Sequence, residues 1–279
     1  MNDISHLIRQ AIAEDIGDGD HTSMATIPED ATGKMKLLVK EDGIVAGVEI
    51  AKLVFEKIDP GLCMEVLITD GMPIKKGDIV FYITGRCRSM LIAERTVLNF
   101  MQRLSGIATS TSHYVRELEG TSARLLDTRK TTPNMRIFEK MAVVLGGGMN
   151  HRMGLYDMVM IKDNHVDFAG GIKQAIEAEH DYLNRIGKKL KIEIEVRNFD
   201  ELEQVIKVGR VVRIMLDNFP PADLQKAVEI IGGKFETEAS GGIKLENIRE
   251  YALTGVDFIS VGAVTHQIKS LDLSLKAVK

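Results

Sequence analysis

In the second half of this chain, short apolar runs end repeatedly in polar clusters. The clusters are Asp127-Thr128-Arg129-Lys130, Lys162-Asp163-Asn164-His165, Glu195-Val196-Arg197-Asn198, Asp217-Asn218, Ser240-Gly241-Gly242 and Gly262-Ala263. Arg129, Lys130, Lys162 and the neighbouring His151 and Arg152 form a basic set in a chain whose net charge is −4. Guanidinium forks suit planar carboxylates and phosphates, often through two parallel hydrogen bonds. A site with this many cations expects a multiply charged anion. Glu195 and Asp217 add two carboxylates. Beside a phosphate, one or two carboxylates are what Mg²⁺ uses, together with the substrate's own oxygens. Ser240-Gly241-Gly242 and Gly262 leave backbone N–H groups open to a phosphate, because no bulky side chain blocks the approach. Every strand ends in a loop and loops are polar, so one such cluster decides nothing. Six in register carry the inference.

The runs that carry these clusters are 124–127, 158–161, 192–196, 212–216, 234–238 and 258–261. Helical patterns separate them, at 171–184, 200–208, 221–231 and 245–254. Strands alternating with helices predict a parallel sheet. No Gly-x-Gly-x-x-Gly follows the first run, which favours a TIM-like α/β barrel over an open doubly wound sheet. In such a barrel the C-terminal strand ends converge on one face, and the loops after the last two strands often bind phosphate. Ser240 to Gly242 and Gly262 stand at those two places.

The first part of the chain has another texture. Ile4, Leu7, Ile8, Ala11 and Ile12 are spaced as in a helix. Strand-like stretches at 36–39, 43–47, 64–68 and 78–83 follow, parted by Gly- and Pro-bearing turns and one helical segment at 48–58. This predicts a small α+β unit ending near residue 85. A helix is expected from Arg88 to about Leu104, broken at Ser105-Gly106.

The 279 residues are 44% hydrophobic and 27% charged, a soluble globular mix that leaves no room for a disordered, collagen-like or membrane-spanning chain. A strongly basic nucleic-acid footprint is absent. Cys63 and Cys87 do not make a disulfide framework or a zinc cluster. The first 17 residues have no uninterrupted apolar stretch of signal-peptide type. These points give a cytoplasmic expectation, with neither membrane nor nucleic acid as partner. Asp18, Asp20 and His21 fit a capped turn better than a metal site. His6, His113, His180 and His266 have no partner that the sequence shows, and the 14 methionines read as core filler.

At Asp127-Thr128-Arg129-Lys130-Thr131-Thr132-Pro133 the chain resembles the quinolinate phosphoribosyltransferases, also called carboxylating nicotinate-nucleotide pyrophosphorylases. The likeness continues through Gly146-Gly147-Gly148-Met149-Asn150-His151-Arg152, Ile161-Lys162-Asp163-Asn164-His165, Met215-Leu216-Asp217-Asn218 and Glu238-Ala239-Ser240-Gly241-Gly242-Ile243. Upstream, residues 13–20, Glu94-Arg95 with Leu98-Asn99, and 105–109 are also similar to family motifs. The resemblance implies an N-terminal α/β sandwich domain, set here at 1–107, and an incomplete α/β barrel at 108–279, with residues 268–279 packing back onto the first domain. It implies a homodimer with sites shared between chains. It implies phosphoribosyl transfer from phosphoribosyl pyrophosphate to quinolinate with Mg²⁺, giving nicotinate mononucleotide, pyrophosphate and CO₂ in NAD biosynthesis. Carried over, Arg95 (from the neighbouring chain), Arg129, His151, Arg152 and Lys162 hold the quinolinate carboxylates. Lys130, Glu195 and Asp217 serve the ribose, the pyrophosphate and Mg²⁺. Ser240, Gly241 and Gly262 cradle the 5′-phosphate. One departure stands out: Asn134-Met135-Arg136 replaces the usual Gly-Leu-Arg, putting a non-glycine in the turn.

Two other readings share the pattern. One is a Schiff-base aldolase with Lys162 as nucleophile. The other is an anion-binding paralogue without turnover, such as one tied to molybdate uptake. The surplus of cations weighs against the first, and the full set of dicarboxylate residues against the second.

Overall fold

The computed structural model describes residues 4–278, so the termini of both sequence-assigned domains (1–3 and 279) lie outside it. Two compact units emerge. The first holds residues up to Ser112 together with Thr132–Gly147 and Gln267 onward; the second holds His113–Thr131 and Gly148–His266.

The first unit begins with α1 (Ile4–Ile16) and α2 (His21–Thr26). The Asp20 carboxylate accepts the Ser23 N–H at 3.0 Å and caps α2, so the Asp18–Asp20–His21 patch is a helix start. Then come β1 (Thr32–Val39), β2 (Gly43–Ile44), α3 (Val48–Ile58), β3 (Cys63–Val66), β4 (Pro73–Ile74), β5 (Ile79–Arg86) and α4 (Cys87–Glu117). Met35, Leu37 and Val39 alternate into the core along β1. In α3, Val48, Ile50, Ala51, Val54 and Phe55 are buried, and Phe55 meets Phe81 of β5 edge to face at 5.9 Å. Such a pair adds about 0.5–1.5 kcal/mol beyond its buried area.

The helix α4 does not stop at Ser105-Gly106. Ser105 Oγ accepts the Ala46 N–H at 2.9 Å and donates to the Ala46 carbonyl at 3.2 Å. A Cβ on Gly106 would overlap the Lys269 carbonyl. The pair that reads as a helix breaker is there for close approach, which outweighs the roughly 1 kcal/mol that a helix-interior glycine costs. The sequence boundary at 107/108 therefore falls inside a helix.

The second unit begins with β6 (Arg124–Leu126). Next in the chain is α5 (Arg136–Leu145), which clusters with the first unit rather than with the barrel. Its Phe138 packs on Phe100 of α4 at 5.1 Å, and its buried Glu139 accepts from Arg103 Nε at 2.8 Å. Before α5, Asn134 has φ +64°. The turn does require the left-handed region, and asparagine is among the non-glycine residues that enter it most readily. The series continues with β7 (Val159–Ile161), α6 (Asp163–Ala169), α7 (Ile172–Arg185), β8 (Ile192–Val196), α8 (Phe199–Val208), β9 (Arg213–Asp217) and α9 (Pro221–Ile231). It closes with β10 (Glu236–Ser240), α10 (Ile248–Ala252), β11 (Phe258–Ser260) and α11 (Ala263–His266). Last, β12 (Leu273–Ala277) returns to pair antiparallel with β1 in the sheet β12-β1-β5-β3.

The parallel sheet has the order β6-β11-β10-β9-β8-β7. Each strand from β8 to β11 lies beside its predecessor, and β11 returns to β6. That is singly wound barrel order, left open between β6 and β7. The free edge of β6 carries a single parallel bridge, Leu126 to Met149. The register divides the strands into two faces. Leu125, Ile192, Ile194, Val196, Ile214, Leu216, Ala239 and Ile259 are buried on one. Glu193, Glu195, Arg213, Asp217, Glu236, Glu238, Ser240 and Ser260 share the other. The apolar set is what a layer of helices requires. The inward set is charged, whereas barrel interiors are usually filled by branched apolar residues.

Candidate active site

The C-terminal strand ends of the parallel sheet bring three groups together. At the end of β7, Lys162 caps α6 by accepting the His165 N–H on its carbonyl, while its own N–H donates to His165 Nδ1 at 2.9 Å. Its Nζ stands 3.2 Å from Glu195 Oε2 at the end of β8. Burial raises the Glu195 carboxyl above its ordinary value; Lys162 opposes this, and Asp217 and Asp163 add to it. Asp217, ending β9, accepts from Ser240 Oγ at 2.6 Å and from Asn218 Nδ2 at 2.6 Å. Glu195 and Asp217 are therefore close enough to repel, and a hydroxyl and an amide hold Asp217 in place.

The second group sits beyond β10 and β11. Gly241 has φ +91°, and a Cβ there would run into the Asn218 side chain. Gly262 is as tightly hemmed: a Cβ would lie 2.9 Å from Lys130 Cδ and 3.0 Å from His266 Nε2. Thr265 Oγ1 donates to the Lys130 carbonyl at 2.9 Å, tying the loop after β6 to the turn after β11. His266 thus joins Lys130 and Gly262 although it offers no sequence signal beyond its type.

The third group is Arg129, Arg152 and what lies behind them. Burial weakens the hold of Arg152 on its proton, and the Arg129 charge weakens it further; Glu193 and Asp157 act in the opposite sense. Arg129, after β6, and Arg152, after the Met149 bridge, thus bring two guanidinium charges within reach of each other. His151 differs from expectation. Its side chain is buried, with Nε2 3.0 Å from Glu193 Oε2 and 3.3 Å from Glu238 Oε2. Its Nδ1 accepts the Arg152 N–H at 2.7 Å, and its own N–H donates to Asp127 Oδ1 at 2.8 Å. Nδ1 is bonded within the protein, while Nε2 lies close to the two carboxylates without a hydrogen bond to either. Burial disfavours a protonated ring while Glu193 and Glu238 favour it, up to about 9. The Nδ1 acceptor role decides against the imidazolium, whose Nδ1–H would face the Arg152 N–H. Burial, and after it Glu238, pushes the Glu193 carboxyl up to about 7. Burial would raise Glu238 too, but His151 and Arg213 hold it below the usual range.

Arg95 is exposed on α4 in the first unit. The sequence reading passed over Glu193, Arg213 and Glu238. Their signal was available: Ile192-Glu193-Ile194-Glu195 alternates with period two, so a second carboxylate shares the face of Glu195.

Residues 20–105 match the N-terminal domain family of quinolinate phosphoribosyl transferase, and residues 107–276 match its C-terminal domain family. The chain belongs to the quinolinate phosphoribosyltransferase family. It is 45% identical over 289 aligned residues to quinolinate phosphoribosyltransferase (decarboxylating) 1b of Nicotiana tabacum, covering 98% of this chain and 82% of that one. Among solved structures it is similar to the nicotinate-nucleotide pyrophosphorylase of Francisella tularensis, with TM-score 0.92, 41% identity, and 98% and 95% of the two chains covered. It is equally similar in shape to NadC of Streptococcus pyogenes, with TM-score 0.93, 36% identity, and 99% and 97% covered.

Proposed function

We propose that this chain transfers the phosphoribosyl group of phosphoribosyl pyrophosphate to the ring nitrogen of quinolinate and releases CO₂, giving nicotinate mononucleotide and pyrophosphate. The observation that carries the reading is Arg129 beside Arg152 at the strand ends of a family member. Quinolinate is a dicarboxylate, and Lys162 and Arg95 complete its set of cations. Arg95 is supplied by a second copy of the chain in a homodimer.

The ring nitrogen attacks ribose C1′ while the C1′–O bond to pyrophosphate breaks, and that electron pair leaves with pyrophosphate. Lys130 steadies the leaving group, and Glu195 and Asp217 lie where positive charge develops on the ribose. The nitrogen becomes cationic. The bond from ring C2 to its carboxylate then breaks. The cationic nitrogen stabilises the electron pair left on C2, which takes a proton from water as CO₂ departs. The chain needs only to orient the ring and place charges, which agrees with a site built from cations rather than around a nucleophile. Ser240, Gly241 and Gly262 hold the 5′-phosphate, with His266 beside them.

Glu195 and Asp217 fit Mg²⁺: they are hard oxygen donors, mutually repelling and few, as suits an ion that keeps water and phosphate ligands. When bound, Mg²⁺ neutralises charge on the departing pyrophosphate. Among the described residues no helix is long and apolar enough to cross a membrane. Cys63 and Cys87 are unlinked thiols, which supports a reducing compartment such as the cytoplasm.

Purified protein given Mg²⁺, phosphoribosyl pyrophosphate and either quinolinate or nicotinate tests this reading. Nicotinate mononucleotide from quinolinate alone, with CO₂ released, is expected. Product from nicotinate, or from neither, overturns it.

A further inference from the structure

We propose that Glu193 and Glu238 are positioning residues that clamp the His151 ring as its Nε2–H tautomer, and that the ring in turn fixes the backbone presenting Arg152 to the substrate. The inference rests on the reading of Arg152 as a quinolinate ligand.

The need for a clamp comes from the backbone. Between β6 and β7 the sheet is open, and the segment after Gly146-Gly147-Gly148 has one bridge, at Met149. Past that bridge the amides of His151 and Arg152 find side chains instead of a strand: His151 N–H donates to Asp127 Oδ1, and Arg152 N–H donates to His151 Nδ1. Buried amides need partners, and these two bonds replace the missing ladder. The second is only as firm as the ring that accepts it.

The ring is held from its far side. An Nδ1 that accepts an N–H carries no proton, so the proton of the neutral ring is on Nε2. Nε2 stands 3.0 Å from Glu193 Oε2 and 3.3 Å from Glu238 Oε2, close charge contacts without the alignment of a hydrogen bond to either. Both carboxylates are 0% exposed. Glu193 stands two residues before Glu195 on β8, and Glu238 two before Ser240 on β10, so each lies one step deeper on the same face as a site residue. Arg213 sets Glu238, with Nη1 3.0 Å from Glu238 Oε2, and lies 4.0 Å from the Phe258 ring centroid.

The same three donors, one each from His151, Glu193 and Glu238, lie within 4.8 Å of one another, close enough to hold a metal ion. The tautomer speaks against that use. A metal would take the Nε2 lone pair and put the ring proton on Nδ1, against the Arg152 N–H. Arg213 already brings positive charge to the two glutamates.

Two glutamate variants and one spectrum test the clamp. Glu193→Met keeps the volume and removes the acceptor, whereas Glu193→Gln keeps an acceptor for Nε2–H. In Glu193→Met the KM for quinolinate is expected to rise about tenfold, within the loss that a misplaced binding group produces. The KM for phosphoribosyl pyrophosphate stays level, and Glu193→Gln recovers most of the loss. Equal rises for both substrates, no rise, or a Gln variant as impaired as Met overturns the proposal. Nitrogen NMR of the histidine-labelled wild-type protein needs no substrate and no variant that folds. An Nε2–H tautomer for His151 is expected; an Nδ1–H ring or an imidazolium overturns the clamp. Stoichiometric zinc or manganese, retained by wild type and lost in Glu193→Met, overturns it in favour of a metal centre. A wild-type protein that makes no product from quinolinate removes the functional reading and with it the role of Arg152, while the NMR result still judges the clamp itself.

Discussion

Glu193 and Glu195 share a strand and a face, two residues apart, yet they meet different surroundings. At the mouth, Glu195 touches the half-exposed Lys162 and feels Asp217. One step deeper, Glu193 is sealed against His151 and close to Glu238 and Arg213. The same contrast recurs on β10, where Ser240 bonds Asp217 and Glu238 lies beneath it. Residue type does not distinguish the two levels. What separates them is whether the charge has its partner within the protein or leaves room for one from outside. The mouth groups open to solvent at Lys162, whereas the deeper groups face one another away from it.

The sharpest way to break this comparison is to remove a mouth cation. Arg129→Ala and Arg152→Ala should each lower kcat/KM for quinolinate about a hundredfold, the range expected when one partner of a buried charge pair is truncated. Phosphoribosyl pyrophosphate should be affected far less. Steady-state kinetics with each substrate varied in turn reads the difference, and equal losses would mean that these arginines do not define the dicarboxylate site.

Next comes the metal. Glu195→Ala and Asp217→Ala should raise the Mg²⁺ concentration for half-maximal rate by about tenfold, one hard ligand's share of a weakly held ion. A Mg²⁺ titration of each variant measures it. An unchanged dependence would move both carboxylates out of the metal's reach and into the deeper class.

The mouth level is the part that the sequence showed. A polar residue at the end of an apolar run is visible as punctuation, and six such endings lined up in order. The parallel sheet was legible for the same reason. The deeper level was hidden because Glu193, Arg213 and Glu238 sit inside runs that read as strand, where alternation fixes the face but not which face is inward. The course of α4 through Ser105-Gly106 was hidden too. A glycine that admits residues 269–270 and one that ends a helix look alike until the distant chain is placed. His151 is a basic group in the sequence, and only the fold shows its ring buried beside two glutamates. Asn134 went the other way, since its departure from glycine marked a turn that the backbone confirms at φ +64°.

A smaller effect tests the phosphate cradle. Gly241→Ala should raise the KM for phosphoribosyl pyrophosphate several-fold, because φ +91° is strained for alanine and the new Cβ meets Asn218. That strain is of order 1–3 kcal/mol. The quinolinate KM should hold. A variant that loses both would show that Asn218 and Asp217 move together, joining the two mouth groups into one.

A test on stability rather than activity sharpens the rule for buried carboxylates from outside the barrel. Asp59 in the first unit is as shut away as the deeper glutamates, with 4% of its side chain exposed. Its acceptors are nonetheless well supplied: Arg86 Nε and Ser89 Oγ each donate to Oδ2 at 2.7 Å, and Gly61 N–H donates to Oδ1 at 2.9 Å. Arg86 and then Ser89 hold its carboxyl well below the ordinary aspartate range, overcoming burial, whereas for Glu193 burial prevails. Donor supply thus decides the sign that burial alone would set. A depressed value in the folded state means that the unfolded chain takes up the proton first as pH falls. The stabilisation is therefore complete above the unfolded aspartate value of about 3.9 and drains away as pH drops toward the lower folded value. Asp59→Asn should cost about 1.5–3 kcal/mol at neutral pH, the scale of hydrogen bonds to a charged group. The gap should close as the solution is acidified below about pH 4. Thermal melts of both proteins across that range read it. A gap that stays constant with pH would assign the loss to shape and not to charge, and would remove Asp59 as the well-supplied counterpart of Glu193.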